Sequence, residues 1–321
     1  MILLTGGTGF VGRHLTAQFL ADNRRVRVLS RDPGRCRAAE GLACVKGDII
    51  DGVALRAALR DVRTVVHAAA VLPGGATREP DFEDVNARGT GVLARAAREM
   101  GVRRFVHVGS AGVYGDGRIK EPHRECDEPN ASTPYERSKL SAERALASVL
   151  EGSDVKWTIL RPQGLYGHDR PATAEFFRAV ARRRLWFHGP VRVLVHPTHI
   201  ADLVSAVRLV LDRDDLHAEV INVAGDRALE YRELISLVGR CVGHEPLQLC
   251  APRWIRSLAR LSSRAWGTLG SPPEMLARLS RESINRTVSI EKARRLLGFV
   301  PMELEQGIDQ TAKELRRAGS L

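Results

Sequence analysis

The stretch TGGTGFVG, residues 5–12, decides how the rest of this 321-residue chain is read. It follows ILLT (2–5), a strand-like apolar run, and it opens VGRHLTAQFLAD (11–22), whose apolar residues recur at helical spacing. Gly6, Gly9 and Gly12 therefore stand on a turn from strand to helix. Glycines there permit a tight bend and, with Phe10 and Val11 in the same turn, let backbone amides approach a pyrophosphate at the positive end of the helix. A glycine pattern alone is weak; the strand before it and the helix after it make it a dinucleotide fingerprint.

Working outward, the next apolar run, VRVLS (26–30), begins within about twenty residues of the turn, as such a unit requires. Its end selects the dinucleotide. A carboxylate there would grip the adenosine 2′-hydroxyl and repel a 2′-phosphate, whereas Ser30 and Arg31 suit the phosphate. NADP is the expectation, and Asp32, one residue later, keeps NAD open. Further strand candidates are CVKGD (44–48), TVVHAAA (64–70) and RFVHVGS (104–110). VNARGTGVLARAAREMG (85–101) reads as one long helix stopped by Gly101. Strand–helix alternation of this kind predicts an α/β protein, a Rossmann-type doubly wound parallel sheet. Asp48, closing the third strand, is placed to accept from the adenine amino group.

Two short segments carry the chemistry. STPYERSKLSAERAL (132–146) places Tyr135 and Lys139 four residues apart at a helix start, with Pro134 suited to the first turn and Ser132 or Thr133 to the cap. One turn puts phenol and ammonium on one face, where the ammonium favours phenolate. Tyr135 then exchanges a proton with a substrate oxygen while hydride passes to or from the nicotinamide, and Lys139 also holds the ribose. GSAGVYG (109–115) ends a strand on Ser110, which has no neighbouring base to make it a nucleophile. Its expected role is to orient and polarise the oxygen that Tyr135 protonates.

These motifs resemble the extended short-chain dehydrogenases/reductases, grouped as NAD(P)-dependent epimerases, dehydratases and ketoreductases. TGGTGFVG, GD (47–48), VVHAAA, VNARGTGVL, VGSAGVYG, PYERSK, LRPQGLYG (160–167) and VHPTHIADLV (195–204) run in family order, with a family-like ending, EKARRLLGFVP (291–301). The resemblance implies that Ser110, Tyr135 and Lys139 form the catalytic triad, supported by Asn86. It implies that Ile49, Ala68, Ala69, Ala70 and Pro162 join the cofactor site. It also implies a smaller C-terminal substrate-binding lobe, with residues 1–163 as the dinucleotide domain, 164–321 mainly as the lobe, and about 192–224 returning to the first domain. A homodimer through the helices carrying Asn86 and Tyr135 is a family expectation.

Departures from the family pattern narrow the reaction. Ala111-Gly112 stands where sugar-nucleotide dehydratases of the family carry Asp-Glu, so dehydration lacks its acid and base. Gln163 replaces the asparagine that often meets a substrate diphosphate. With Leu72, Ala111, Gly112, Arg192 and His196, it makes up the expected substrate contacts. The preferred reading is an NADP-dependent oxidoreductase acting on a secondary alcohol or ketone. A nucleotide-sugar epimerase with tightly bound NAD is the alternative, and a catalytically silent dinucleotide sensor a third, disfavoured because Tyr135 and Lys139 are both retained.

Composition excludes other classes. The net charge of +11 is spread along the chain without a basic tail, which argues against a nucleic-acid partner. No run reaches ~18 apolar residues, and the N-terminus lacks a signal-peptide pattern. Five cysteines without a C-x-x-C pair argue against a disulfide framework or zinc site, which makes a reducing cytoplasm the default. His67 and His107, inside strand patterns, read as core residues, and no metal site is expected. The stretch 116–132 reads as a surface loop. In PRWIRSLARLSSRAWGTLG (252–270), Trp254, Leu258, Leu261, Ala265 and Leu269 share one helical face, opposite Arg256, Arg260 and Arg264. That face packs on the lobe or, as the alternative, lies on a membrane surface.

Overall fold

Alternation of apolar runs and helical patterns resolves, in the computed structural model, into a seven-stranded sheet in the order β11-β6-β5-β4-β1-β2-β3. The structure describes residues 1–321 apart from 37, 74–78, 116–120, 183–185, 189–192, 246 and 251–284. The strands are β1 (Ile2–Thr5), β2 (Val26–Ser30), β3 (Leu42–Lys46), β4 (Thr64–His67), β5 (Arg104–Val108) and β6 (Lys156–Pro162). The short β7 (Leu165–Tyr166), β8 (Trp186–His188), β9 (Leu194–Val195) and β10 (Thr198–His199) precede β11 (Glu219–Val223). Every pairing in the large sheet is parallel. Strand order reverses between β1 and β4, and the crevice at that switch point is where ligands bind in such sheets.

Side chains alternate across the sheet, so Leu4, Val66 and Val106 face one core while Leu3, Val65 and Phe105 face the other. The first core is closed by Leu15 and Phe19 of α1 (Phe10–Ala21) and Leu203 and Val207 of a later helix (Ile200–Leu211). The second is closed by Leu55 of α2 (Gly52–Ala58) and by two longer helices. After a short helix α3 (Glu79–Phe82), the chain makes a π-helical turn over Glu83–Arg88 before α4 (Gly89–Glu99). The single helix predicted over 85–101 is thus broken near its start, because apolar periodicity does not distinguish wider helical turns. Gly101 does follow the helix with φ +67°, as its stop position requires.

The helix α5 (Pro134–Leu150) starts as its sequence dictates. Thr133 accepts from the Glu136 amide at 3.2 Å, and Glu136 accepts from the Thr133 amide at 3.0 Å, a capping box with Pro134 in the first turn. A third core belongs to the second half of the chain. It joins Phe177 of α6 (Pro171–Ala181), Val238 of α8 (Tyr231–Val242) and Ile308 of α10 (Leu304–Arg317), with α7 (Ile200–Leu211) and α9 (Glu291–Leu297) returning to the large sheet. No helix of the described residues is long and apolar enough to cross a membrane. The amphipathic stretch 252–270 lies outside the described residues.

Two expectations are corrected here. Cys36 and Cys44 are joined by a disulfide, with Cα atoms 6.5 Å apart. The turn Pro33–Arg35 after β2 folds Cys36 back beside Cys44, which stands opposite Val28 in the neighbouring strand. The cysteine pattern therefore no longer argues for a reducing compartment. Within the predicted surface loop, His123 is buried, bridges Val288 and stacks on Tyr114 with centroids 4.8 Å apart.

Candidate active site

At the first turn the backbone leaves no room for side chains. A Cβ on Gly12 would lie 2.0 Å from the Gly6 carbonyl oxygen, and Gly6 itself has φ +73° with the Ala69 amide 2.6 Å from a notional Cβ. No side chain caps the N-terminus of α1, so its first amides face the crevice unpartnered by side chains. That is the geometry an anionic pyrophosphate needs.

From this turn a cavity of about 660 Å³ runs along the carboxyl ends of β2 to β6. Its walls include Gly6, Gly9, Phe10, Val11, Gly12, Ser30, Arg31, Asp48, Ile49, Ala68, Ala69, Ala70, Leu72, Ser110, Tyr135, Lys139 and Pro162. Thus most of the predicted cofactor residues, and all three predicted catalytic ones, share one cavity. Arg35 joins Arg31 at one end. Ser30 Oγ donates to the Asp32 carbonyl at 2.9 Å, and the Asp32 carboxylate accepts from the Gly34 amide at 3.1 Å. The turn thereby engages one oxygen of the acid that kept NAD open, and Asp32 lines the same cavity.

Other predicted residues stand elsewhere. Ala111, Gly112 and Gln163 border a separate small cleft beside His123 and Arg286. His196 is buried and meets the Gly225 carbonyl at 3.0 Å through Nε2, away from the main cavity walls. Arg192 lies outside the described residues. Asn86 braces the site from behind: its amide accepts from Val71 N at 2.7 Å and donates to Val71 O at 3.1 Å and to Ser138 Oγ at 3.0 Å. One buried side chain thus ties the loop after β4 to α5.

The phenol of Tyr135 is hydrogen-bonded to Ser110. Burial pushes this phenol above its ordinary value; the Ser110 bond and the Arg170 guanidinium pull it back. Lys139 is buried and donates to the Val108 carbonyl at 2.8 Å, and burial brings its ammonium down to about 8 against the opposing pull of Glu143. Arg170, which sequence reading missed, adds a second cation near the phenol in the same cavity. A second omission is Glu143, one turn beyond Lys139 on the same helix face. It forms a buried bidentate pair with Arg161, with Nη2···Oε2 at 2.7 Å, and Arg161 also donates to Tyr114 Oη at 2.8 Å. The helical spacing of Glu143 from Lys139 was the available signal; Arg170 offered none.

Beneath the site, Thr90 Oγ1 donates to the Asn86 carbonyl, so it accepts from His67 Nε2 at 2.8 Å. His67 Nδ1 then accepts from Thr5 Oγ1 at 2.6 Å. Burial holds this imidazole neutral, with its pKa pushed down to about 3. His107 stacks on it with centroids 5.0 Å apart. Both histidines are core residues, as expected from their strands. Among the described residues no cluster of His, Cys, Asp or Glu could hold a metal ion.

Residues 2–224 match the profile of the NAD dependent epimerase/dehydratase family, which covers well over half of the chain. The chain belongs to this family. Within it, the chain is 28% identical to the 4-hydroxy-2-methyl-3-oxo-4-farnesyl-3,4-dihydroquinoline-1-oxide ketoreductase of Stigmatella aurantiaca, over 98% of this chain and 96% of that one. It is 27% identical to the UDP-glucose 4-epimerase of Vibrio cholerae, over 99% of this chain and 96% of that protein. Among solved structures, MoeE5 in complex with UDP-glucuronic acid and NAD superposes with a TM-score of 0.78 at 26% identity, covering 99% of both chains. Family membership carries an NAD(P) dinucleotide as the typical cofactor, and the cavity and uncapped helix described above fit one.

Proposed function

We propose that the protein is an NADP-dependent oxidoreductase that interconverts a secondary alcohol and a ketone. One observation carries this reading: Ser110 and Tyr135 are hydrogen-bonded to each other at the wall of the dinucleotide cavity, with Lys139 alongside and no carboxylate in the two positions after Ser110. NADP held by this cavity would supply the hydride acceptor for the carbinol carbon, or the hydride donor for the carbonyl. Tyr135 takes the hydroxyl proton in oxidation and gives it back in reduction. Ser110 Oγ orients the substrate oxygen toward the phenol, and Lys139 would hold the ribose hydroxyls and keep positive charge near the proton-transfer site. Ala111 and Gly112 supply neither acid nor base, which weighs against dehydration.

The preference for NADP rests on Arg31 and Arg35 at the same end of the cavity, with the Asp32 carboxylate engaged by Gly34. Titration of the wild-type protein should show NADPH bound more tightly than NADH. The R31A substitution should remove at least about tenfold of NADPH affinity, from a lost charge-assisted contact, and leave NADH unaffected. Equal affinities in the wild type would sink the assignment.

The whole-length likeness to a UDP-glucose 4-epimerase supports a second reading, in which the same three residues serve a nucleotide-sugar epimerase. Gln163 weighs against it, since this residue borders the small cleft and not the main cavity. NAD⁺ that copurifies with the protein and does not exchange with added NADPH would favour the epimerase.

A further inference from the structure

Past Gly164 the dinucleotide cavity adjoins a second one of about 170 Å³, walled by Tyr166, Phe176, Phe177, Leu234, Val238 and Ile308. These side chains come from β7, α6, α8 and α10, and they are almost wholly apolar. Among the described residues, only Gly164 and Arg170 border both cavities. Arg170 stands immediately before α6, and its guanidinium donates to the Leu165 carbonyl through Nη1. No carboxylate among the described residues pairs with it. The adjacent Asp169 is engaged by Arg13 at 2.8 Å and His14 at 2.9 Å.

A guanidinium has five N–H donors, and one protein carbonyl leaves most of them free. Taken partly out of water without a counter-charge, such a group is costly, and an anion placed against it offsets that cost. Burial indeed depresses Arg170, opposed by its interaction with the Tyr135 phenol. The same interaction puts Arg170 within electrostatic reach of the reacting oxygen.

We infer that Arg170 recognises an oxyanion carried by the substrate beside its reacting carbon, while the second cavity takes an apolar body. The substrate class is then an amphipathic hydroxy or oxo acid: a hydrocarbon tail, a secondary alcohol or ketone, and a carboxylate or phosphate close to it. This inference rests on the oxidoreductase reading above for the position of the reacting carbon. The neutral alternative, an apolar alcohol without an acid group, would leave the guanidinium uncompensated when the cavity fills and water leaves.

The test uses the full-length protein saturated with NADP⁺ and three probes with one chain length: 3-hydroxyoctanoate, its methyl ester and 2-octanol. Binding is followed by calorimetry and hydride transfer by NADPH absorbance. The wild type should bind the carboxylate at least about tenfold more tightly than the ester, the strength of a bidentate charge-assisted contact. R170Q should abolish that preference with NADP⁺ affinity unchanged, and R170K should retain part of it. Equal binding of acid and ester by the wild type, or a preference that survives in R170Q, would overturn the assignment. So would a loss of NADP⁺ affinity in R170Q, which would give Arg170 to the cofactor phosphates. Failure of all three probes to bind would remove the apolar cavity from the substrate site. Charge-selective binding without hydride transfer would instead count against the oxidoreductase reading and leave the role of Arg170 standing.

Discussion

At the scale of single residues, Tyr135 is governed by opposing influences. Burial raises its phenol, and the Ser110 hydrogen bond and Arg170 lower it. Replacing the phenol hydroxyl in Y135F should reduce kcat about 10²- to 10⁴-fold, the usual worth of a positioned acid/base, with NADPH affinity unchanged in a titration. An unchanged kcat would instead favour the silent sensor. S110A removes a bond that favours phenolate, so the phenol rises further. The rising, low-pH limb of the oxidation pH–rate profile should therefore move to higher pH. Ser110, Tyr135 and Lys139 were legible because each stands in a short pattern, one at a strand end and two a helical turn apart. Arg170 was not: nothing within its own segment says that it faces a phenol 35 positions earlier in the chain. Lys139 donates to the Val108 carbonyl and lines the same cavity as the phenol.

At the scale of elements, the two helices that build the site start by different devices. The α1 turn needs the absence of side chains, and G12A would drive a methyl into the Gly6 carbonyl 2.0 Å away. That variant should lose nucleotide binding in a fluorescence titration, since the turn must open to admit the methyl. The α5 start needs side chains: T133A breaks the capping box and should cost about 1 kcal/mol, read as a lower urea midpoint at unchanged slope. Both starts were legible, for glycine spacing and a Thr-Pro-x-Glu pattern act within one turn. The π-helical turn at Glu83–Arg88 was not, though it carries Asn86 to Val71 and Ser138. A widened turn is set by what the helix packs against, and the residues inside it look helical either way.

For the whole molecule, the buried histidines make stability a function of pH. His67 and His107 lie in adjacent strands and are held neutral by burial, His67 at about 3. Their folded pKa values are depressed, so the unfolded chain binds more protons below about 6.5, and stability falls as pH drops through that window. For His67 the loss between pH 7 and pH 5 is about 2 kcal/mol, which a chemical-denaturation series would read. H107F, which removes one of the two titrating rings without changing the stack, should flatten that dependence; an unchanged slope would place the acid sensitivity elsewhere. By itself the sequence determined the α/β class and the dinucleotide turn, and it picked out the Ser110, Tyr135 and Lys139 that share one cavity, because each depends on periodicity or on contacts within a few residues. Only the tertiary structure decided that Cys36 meets Cys44, that Glu143 pairs with Arg161, that Gln163 leaves the main cavity and that Arg170 enters it. Those outcomes depend on which strand lies beside which and how the loops after β2 and β6 close over the sheet edge, and distance along the chain carries no record of that.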